Sequence, residues 1–363
     1  MTSTPAPSVG WDAAAERREL QASLEEFVAE QGERLLPLGP DAARLVEAAH
    51  GAVRGGKRLR ARFCRAGFRA VREPSGDQEA TGLVRAAAAL ELLHASALVH
   101  DDLMDASDMR RGGPAVHRAF EDRHREAGWR GDPVQYGAAA AVLLGDLLLS
   151  WADERLRTCG LQAPVVLEAL RLFDATRTEV IGGQFLDVSV QARGDADIAQ
   201  AMRVLRYKSA KYSVERPLQV GAALAGGGLQ TLAALSAYGV PVGEAFQLRD
   251  DLLGVFGDPK VTGKPSGDDL TEGKRTVLVA LALQGSSGAD ARLLDDALGR
   301  PLDAGRVTEL QQLIERSGAV AEVERRIEEL TGRALAALDD PAIRPVARDG
   351  LRALADAAVR RIG

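Results

Sequence analysis

The chain has 363 residues, of which 46% are hydrophobic and 27% are charged, with 46 basic against 52 acidic side chains. The resulting net charge of −6 argues against a general affinity for nucleic acid or for an anionic lipid surface. The cysteines, Cys64 and Cys159, are too few for a disulfide framework, so we expect buried free thiols and a cytoplasmic protein.

Helical periodicity dominates the sequence. Residues 1–10 are rich in Ser, Thr and Pro and lack the basic and apolar regions of a signal peptide, which predicts a disordered tail. Beyond them, apolar residues recur at helical spacing and aromatic residues are only 4% of the chain. No linker rich in Pro, Gly and Ser divides residues 40–340, so we expect one all-α domain over 11–363. The predicted helices span 12–36, 40–54, 57–72, 79–106, 132–158, 164–191, 195–212, 214–225, 229–256, 271–284, 304–317, 319–338 and 341–361.

An uncharged run at 217–243 is long enough to raise the question of a membrane span. Gly226–Gly228 breaks the run midway, and Gln219, Gln230 and Pro241 interrupt it further. The pattern predicts a pair of buried helices joined by a glycine turn, and we expect no stable insertion into a membrane.

Two aspartate-rich segments lie far apart in the sequence: His100–Asp105 reads HDDLMD, and Gln247–Asp251 reads QLRDD. Because residues i and i+4 share a helix face, Asp101 and Asp105 can present two carboxylates to one point. Adjacent carboxylates repel each other, so an apolar helix carries such a cluster only when a cation compensates it. Hard oxygen ligands suit Mg²⁺, which usually binds through one or two carboxylates plus substrate phosphates. The pattern therefore points to diphosphate chemistry.

Basic segments accompany both acidic ones. Loop 107–117 follows the first and contains Arg110 and Arg111, and loop 257–276 follows the second with several lysines. The stretch Gly55–Arg60 (GGKRLR) combines glycines, which let a ligand approach the backbone, with a dense positive cluster. Cation sites beside anion sites are what a magnesium–diphosphate complex requires.

Further features are ambiguous when taken alone. Tyr207–Lys211 (YKSAK) places two cations and a hydroxyl along one helix, and a glycine pair precedes Gln184 and Asp187 at i and i+3. His94 lies two turns before Asp101 on the same stripe. It is either a core histidine with satisfied hydrogen bonds or a contact for a diphosphate. Taken alone, each motif could also be a solvated helix end or a basic surface patch. The presence of all of them in this order is not explained in that way.

Together these motifs resemble the trans-prenyltransferases, the short-chain polyprenyl diphosphate synthases, and most of all the bacterial geranylgeranyl diphosphate synthases. The likeness extends from about Gly55 to Arg275, over the motifs GGKRLR, HDDLMD with RRG-PxxH, GGQ-xxD, YKSAKY, FQLRDD and GKPSGDDL-EGKRT. It implies the isoprenoid synthase fold, an antiparallel helical bundle around a central apolar cavity. It also implies a homodimer.

The resemblance assigns roles by motif position. It implies three Mg²⁺ ions per active site, for which Mn²⁺ can substitute. Their implied ligands are Asp101 and Asp105, with Asp102 in support, and Asp250 and Asp251. The residues implied to hold isopentenyl diphosphate are Lys57, Arg60, His94 and Arg111. Those implied to grip the allylic diphosphate are Arg110, Lys208, Lys264 and Lys274, and those implied to face the developing cation are Ser209 and Gln247. The implied catalytic set is Asp101, Asp105, Lys208, Gln247 and Asp250.

One departure from the family pattern concerns the second acidic motif. The motif is often DDxxD in the family, whereas here Asp250–Gly254 reads DDLLG. Asp258 lies two turns further along and about 80° off the face of Asp250, so it is a poor substitute. Only the fifth ligand of that motif is in doubt, since magnesium readily keeps water in a vacant position.

The expected reaction is the Mg²⁺-dependent head-to-tail condensation of isopentenyl diphosphate with an allylic diphosphate. Loop 257–276 is the candidate lid, and the resemblance implies that the departing diphosphate accepts the proton. A terpene cyclase would need an Asn-Asp…Ser…Glu motif that the chain does not supply. A non-catalytic partner subunit would usually lose its acidic motifs, and the first one is intact. A farnesyl or longer-chain synthase stays open as an alternative.

Product length is expected to depend on residues before Asp101. Ser96 and Ala97 are small, so neither can close a tunnel at fifteen carbons. Leu93 and Leu90 lie one and two turns deeper and are the expected floor. This interpretation predicts geranylgeranyl diphosphate as the main product, and twenty-five carbons if those leucines tilt aside.

Overall fold

Helices follow one another along the computed structural model, which describes residues 12–259 and 265–360. A 3-10 turn, Leu36–Leu38, follows the first helix, and a π-helical segment, Leu205–Glu215, joins the eighth to the ninth. Strands β1 (Met109–Arg110) and β2 (Gly113–Pro114) form an antiparallel hairpin. In chain order the described helices are α1 (Ala13–Leu35), α2 (Pro40–Ala52), α3 (Leu59–Val71), α4 (Asp77–Met104), α5 (Val116–Glu126), α6 (Pro133–Arg157), α7 (Ala163–Arg193), α8 (Ile198–Val204), α9 (Arg216–Leu224), α10 (Leu229–Phe256), α11 (Asp268–Glu272), α12 (Val277–Gly285), α13 (Gly288–Ala297), α14 (Ala304–Arg316), α15 (Ala319–Ala337) and α16 (Pro345–Val359).

Local chemistry fixes where several of these helices begin and end. The Asp132 side chain accepts a hydrogen bond from the Val134 amide, and Pro133 occupies the first turn of α6. Gly194 ends α7 with a left-handed φ of 68°. Arg58 adopts a left-handed φ of 53° directly before α3, so the chain turns sharply after the glycine pair of the GGKRLR motif.

Helices α3 and α9 pack with their backbones in direct contact. A Cβ atom added to Gly67 would overlap the carbonyl of Leu218, and one added to Gly221 would overlap the carbonyl of Cys64. Only glycine permits this approach at both positions. The contact holds the start of α3, with its basic residues, close to the π-helical segment that precedes α9.

The predicted all-α fold is confirmed. The uncharged run at 217–243 falls in α9 and the first part of α10, with a turn at residues 225–228 between them, as predicted. Helix α10 continues through Pro241 rather than ending there. Cys64 and Cys159 are free and buried, also as predicted.

Three of the described helices were not predicted, α5, α11 and α13, and the helix predicted at 271–284 begins only at Val277. Helix α5 escaped notice because its buried face is largely polar and so shows no apolar period. That face includes His117, Phe120 and Glu121. The polar face packs on α6 so closely that a Cβ on Gly137 would overlap the His117 carbonyl. The tail predicted at 1–10 lies outside the described residues.

Candidate active site

A cavity of about 490 Å³ lies between α4, α7, the π-helical segment and α10. Its wall joins charged groups of both signs to an apolar surface. The lining carboxylates are Asp101, Asp187, Asp250, Asp251, Asp268 and Asp269; the cations are Lys57, Arg60, Arg110, Lys208, Lys274 and Arg275; the apolar side chains include Ala97, Leu98, Val180, Val204 and Leu205. A ligand with an anionic head and a hydrocarbon tail matches this lining.

Asp101 and Asp105 stand one turn apart at the end of α4, each facing a lysine. Lys208 Nζ lies 3.0 Å from Asp101 Oδ1 and 2.6 Å from Asp187 Oδ2. Lys274 Nζ lies 3.2 Å from Asp105 Oδ2. Burial and then the charge of Asp101 raise the pKa of Asp105. Burial acts against the ionised form of Asp101 as well, but Lys208 and Lys274 outweigh it and lower the pKa of Asp101.

The two carboxylates fit a divalent cation. Asp101 Oδ1 and Asp105 Oδ2 are buried and accept no hydrogen bond of acceptable geometry, although a lysine Nζ lies near each of them. Within residues 12–259 and 265–360, no group of three acidic, histidine or cysteine side chains forms a ready metal cage. That combination suits Mg²⁺, which takes one or two carboxylates and completes its octahedron with water and substrate phosphate. Asp101 and Asp105 are the residues that would hold it.

Asp102 points away from the other two carboxylates. Successive helical residues are about 100° apart. Its buried carboxylate accepts hydrogen bonds from Arg110 on both oxygens, at 2.8 Å and 3.0 Å from Nε. Arg110 lines the cavity, so Asp102 orients a cation of the site. A direct role of Asp102 as a metal ligand stays a prediction.

The second acidic motif lies on α10 and lines the same cavity. Gln247 Nε2 donates a hydrogen bond to Asp251 Oδ1 at 2.9 Å. Burial raises the pKa of Asp251 to about 8, and the negative charges of Asp269 and Asp250 add to the rise. Both predicted carboxylates of this motif, and Gln247, therefore reach the cavity wall.

A hydrogen-bonded group on α3, α4 and the π-helical segment forms another part of the wall. Arg60 Nη2 donates to the Tyr212 hydroxyl at 2.6 Å and to Ser213 Oγ at 2.8 Å. The same hydroxyl lies 2.8 Å from His94 Nδ1. Burial, followed by the charge of Arg60, lowers the pKa of His94 well below its ordinary value, so the ring is neutral at physiological pH. His94 is thus both a partly buried, hydrogen-bonded histidine and a lining residue.

The other basic residues predicted to bind diphosphate divide into three groups. Lys57 and Lys274 line the cavity, as does the hydroxyl residue Ser209. Arg111 is not among the lining residues; it donates a hydrogen bond to the Arg54 carbonyl and packs against Gly56. Lys264, and with it residues 260–264 of the predicted lid, lies outside the described residues.

Sequence reasoning did not assign roles to several lining residues. Asp187 holds Lys208, and Gln184 presents a buried Nε2 without a hydrogen-bond partner. Both were visible as the Gln and Asp of the GGQ-xxD motif. Tyr212 closes the YKSAKY motif, one turn after Lys208 and Ser209. Asp269 had no periodic signal, because its helix α11 is a single turn.

The predicted tunnel residues lie on different parts of α4. Ala97 lines the cavity as predicted. Ser96 instead faces α6, where its hydroxyl donates to the Gly145 carbonyl at 2.7 Å. Leu93 and Leu90 are buried in the main apolar core and are not among the lining residues. Ser96 lies about 100° around α4 from Ala97, so its side chain leaves the cavity face of the helix. Leu93 and Leu90 share roughly the face of Ala97 one and two turns deeper, and their role as the floor of the tunnel stays a prediction.

A cavity that places paired carboxylates against lysine and arginine, above an apolar wall, fits a divalent cation together with a ligand that has an anionic head and a hydrocarbon tail. The family model described as Polyprenyl synthetase matches residues 42–316, and the chain belongs to this family. The resemblance drawn from the motifs is confirmed. The chain is a transferase, a trans-prenyl diphosphate synthase.

Individual relatives differ in the products that their names give. The chain is 36% identical to a short chain isoprenyl diphosphate synthase of Methanothermobacter thermautotrophicus over 73% of this chain and 74% of the relative. It is 31% identical to the geranylfarnesyl diphosphate synthase of Aeropyrum pernix over 85% of this chain and 91% of the relative. Its fold matches the crystal structure of a geranylgeranyl pyrophosphate synthase of Corynebacterium glutamicum, which is complexed with isoprenyl diphosphate and magnesium. The TM-score is 0.93 and the sequences are 40% identical, and the match covers 97% of this chain and 100% of the other.

Proposed function

We propose that this enzyme condenses isopentenyl diphosphate with allylic diphosphates in a Mg²⁺-dependent, head-to-tail reaction that ends mainly at geranylgeranyl diphosphate. The observation that carries the proposal is the pair Asp101 and Asp105, each with a buried, unbonded oxygen facing a lysine at the edge of an apolar cavity. Such a site binds a magnesium–diphosphate complex and leaves the hydrocarbon chain to the cavity.

Two diphosphate sites lie next to each other along the π-helical segment. Lys208, with Lys274 and Arg110, forms the allylic site beside the first acidic cluster. Tyr212, one turn after Lys208, joins Arg60 and His94 on the other side. That second group, with Lys57, forms the site for isopentenyl diphosphate. The arrangement sets the two substrates side by side, as condensation requires.

The chemistry follows from this placement. Bound Mg²⁺ supplies positive charge that stabilises the diphosphate leaving group. The cations of the allylic site add to that stabilisation, each unit pair at 4 Å contributing about 4 kcal/mol at an effective dielectric near 20. The allylic C–O bond breaks, and its electron pair leaves with the diphosphate. The alkene of isopentenyl diphosphate then attacks the allylic cation, and the departed diphosphate takes the proton lost from the adduct.

Several side chains protect the cation between these events. Gln247 and Ser209 line the cavity and present oxygen dipoles to the developing charge. Ala97 and Leu98 lie one turn or less before Asp101 and provide an apolar wall for the growing chain. Each methylene that leaves water there gains about 0.8 kcal/mol. The lid role of loop 257–276 stays part of this proposal.

A product of twenty carbons is supported by the small side chain of Ala97 and by the likeness to the geranylgeranyl synthase fold. The second candidate is a product of twenty-five carbons, which the similarity to the geranylfarnesyl synthase favours. Both share the same site and reaction, so the difference between them concerns only the depth to which the hydrocarbon enters the cavity.

We also propose a cytoplasmic homodimer that uses three Mg²⁺ ions per site. Among the described helices, α4 and α6 are long and apolar enough to cross a membrane, but most of the apolar stretch of α4 is buried. Helices α6 and α7 instead present exposed apolar side chains, among them Leu143, Ile181 and Phe185. Ile181 and Phe185 share one face of α7, and a second copy of the chain would cover it.

The dimer is tested by light scattering after size-exclusion chromatography. Phe185→Lys should give a monomer, because a buried lysine at the centre of the contact would lose its hydration. Leu229→Lys is the matched control, since Leu229 is 85% exposed at the start of α10, away from this face. A Phe185→Lys protein that stays dimeric would place the interface elsewhere.

The reaction itself is tested by chromatography of products from isopentenyl diphosphate with each allylic starter. Product should form with Mg²⁺ or Mn²⁺ and disappear in excess chelator. Asp101→Ala should lose at least ~10²-fold in turnover, as expected for removal of one electrostatic stabiliser. Asp296→Ala, at an exposed position on α13, is the control. Full activity in chelator would refute the metal dependence.

A further inference from the structure

One carboxylate of α7 binds two cations that belong to the end of the π-helical segment. Glu179 Oε1 lies 3.0 Å from Lys211 Nζ, and Arg216 donates to both oxygens of Glu179, at 2.8 Å from Nε and 2.6 Å from Nη2. Only 15–20% of each of these side chains is exposed, so water screens the bridge less than it screens a surface ion pair. None of the three residues lines the cavity.

The spacing of Lys211 and Arg216 is that of a π-helical turn. The Arg216 amide donates to the Lys211 carbonyl, which is the bond from residue i to residue i+5 that defines this helix. In an α-helix, residues five apart lie about 140° apart around the axis, because successive residues turn by about 100°. The wider π-helical turn brings them closer to one side. A single carboxylate can hold both cations in this register, whereas an α-helical register would carry one of them away from Glu179.

The same spacing recurs on the cavity side of the segment. Lys208 and Ser213 are also five residues apart, and both line the cavity. Lys208 Nζ contacts Asp101 beside the first acidic cluster, whereas Ser213 Oγ accepts a hydrogen bond from Arg60 at 2.8 Å. The register of the segment therefore sets how the cations around Lys208 face those around Arg60.

Glycines on both neighbouring helices let the segment approach closely. A Cβ atom added to Gly183 of α7 would overlap the backbone nitrogen of Lys208, and one added to Gly243 of α10 would overlap the carbonyl of Ala210. These contacts fix where the segment lies between the two helices. Glu179 adds a link between two residues whose spacing depends on the register itself.

We propose that Glu179 is a positioning residue that holds the segment Leu205–Glu215 in its π-helical register and thereby fixes the two diphosphate sites relative to each other. The inference rests on the proposed function, since the two sites belong to it. Burial acts against the ionised form of Glu179, but hydrogen bonds from Arg216 and Lys211 outweigh it and lower the pKa of this carboxyl. The bridge is therefore charged at physiological pH. Without it, the cavity residues at the end of the segment would turn away from those at its start.

The first experiment is steady-state kinetics of the full-length enzyme with each substrate varied in turn. Glu179→Gln keeps the size of the side chain and removes its charge. It should lower kcat about 10-fold, because a small misplacement of the reacting groups is costly. The KM for the allylic diphosphate should change less than about 2-fold, since the contacts of Lys208 with Asp101 and Asp187 are left in place. Arg206→Gln is the matched control, because it removes an ion pair between the same segment and α10 without breaking a bridge between two residues of the segment.

A second variant separates the register from the charge of the carboxylate. Lys211→Gln removes the opposite charge of the same bridge and should also lower kcat. If Glu179 acted only through its charge on the bound diphosphates, the two substitutions would change kcat in opposite directions. The double variant should be no slower than the slower single variant, because either substitution breaks the same bridge. Lys211→Gln keeps the pair between Arg216 and Glu179, so it provides the test if Glu179→Gln does not fold.

Amide hydrogen exchange, followed by mass spectrometry, reports on the segment without any substrate. In Glu179→Gln the peptide covering residues 205–216 should exchange about 10-fold faster than in the parent, because its backbone hydrogen bonds open more often. Peptides from α3 and α15 should exchange as they do in the parent. Circular dichroism and thermal unfolding confirm that each variant is folded.

The outcomes separate the inference from the proposed function. If Glu179→Gln lowers the melting temperature but leaves kcat and the exchange of residues 205–216 unchanged, the bridge only adds stability and the inference is overturned. Opposite effects of Glu179→Gln and Lys211→Gln on kcat overturn it as well, and so does an equal loss of kcat in Arg206→Gln. If the parent forms no prenyl product while the exchange of residues 205–216 depends on Glu179, the proposed function fails and the assignment of the register to Glu179 stands.

Discussion

The hydroxyl of Tyr212 lies 2.8 Å from Nδ1 of His94. Because the guanidinium of Arg60 can only donate, the hydroxyl accepts from Arg60 and has its own proton left for Nδ1. The neutral imidazole is thereby fixed with its remaining proton on Nε2. Tyr212 thus orients one cation and one neutral donor at the site proposed for isopentenyl diphosphate.

Tyr212→Phe should raise the KM for isopentenyl diphosphate about 10-fold, because a hydrogen bond to a charged group contributes about 1.5–3 kcal/mol. The kcat should change less, since neither Arg60 nor His94 contacts the allylic diphosphate in this arrangement. Steady-state kinetics with each substrate varied in turn measures both constants. Tyr207→Phe, at a half-exposed position on the same segment, is the control. An unchanged KM would show that the hydroxyl does not organise the site.

The two diphosphate sites should respond to different substitutions. Lys57→Ala should mainly raise the KM for isopentenyl diphosphate, because Lys57 lies at the start of α3 beside Arg60. Lys208→Ala should impair use of the allylic substrate, because its ammonium group contacts Asp101 and Asp187 beside the first acidic cluster. Steady-state kinetics with each substrate varied in turn measures the KM for both substrates in each variant. Identical behaviour of both variants toward both substrates would contradict the division into two sites.

Arg111→Ala separates a direct contact from an indirect one. We expect it to raise the KM for isopentenyl diphosphate less than Lys57→Ala does, because Arg111 packs against Gly56 and donates to the Arg54 carbonyl rather than lining the cavity. Its loss would loosen the loop that carries Lys57. A larger effect than that of Lys57→Ala would mean that Arg111 turns into the cavity when substrate binds.

The sequence predicts which residues share a face of one helix. The spacing of Asp101 and Asp105 predicts that they share a face, and the structure places them one turn apart in the same electrostatic cluster. Contacts between residues of different helices cannot be predicted from such spacing. Arg60, His94 and Tyr212 meet only because α3, α4 and the segment Leu205–Glu215 pack together, and no local pattern reports that packing.

The π-helical segment brings cavity residues together that a regular α-helical period does not predict. A π-helix bonds residue i to i+5, so it has more residues per turn than the 3.6 of an α-helix. Lys208, Ser209, Tyr212 and Ser213 share the cavity wall in this geometry, whereas the sequence suggested roles only for the first two. Position 269 was missed for a different reason, since one turn of helix carries no period at all.

Product length should respond to Ala97 and not to Ser96. Ala97→Phe places a ring in the cavity one turn before Asp101 and should shift the main product to farnesyl diphosphate. Ser96→Phe should instead lower the melting temperature, because it forces a ring between α4 and α6 and removes the hydrogen bond to Gly145. Chromatography of the dephosphorylated products tests the first effect, and thermal unfolding tests the second.

Leu93→Ala serves as a control for this assignment. Leu93 is buried in the apolar core, so the substitution should cost about 2–5 kcal/mol of stability. An unchanged product distribution would show that Leu93 only packs in the core. Longer products from Leu93→Ala would show that this residue forms the tunnel floor.

The buried carboxylate of Asp251 should make the metal-free protein less stable as pH rises. Its pKa is raised from 3.8 to about 8 in the folded state, chiefly by burial. Between these values the folded protein holds a proton that the unfolded chain has lost, so the free energy of unfolding falls with increasing pH over that window. Asparagine resembles the neutral acid and can still accept the hydrogen bond from Gln247.

In excess chelator, Asp251→Asn should therefore melt at a higher temperature than the parent at pH 8, by on the order of several degrees. The difference should shrink as the pH falls toward the unfolded pKa of 3.8, because below it the parent carboxyl is protonated in both states. Asp296→Asn, at an exposed position, should show no such trend. Adding Mg²⁺ with inorganic pyrophosphate should reverse the order at pH 8, because the cation favours the ionised carboxylate that the variant lacks. An advantage of Asp251→Asn that did not grow with pH would mean that the carboxylate is solvated in the free enzyme.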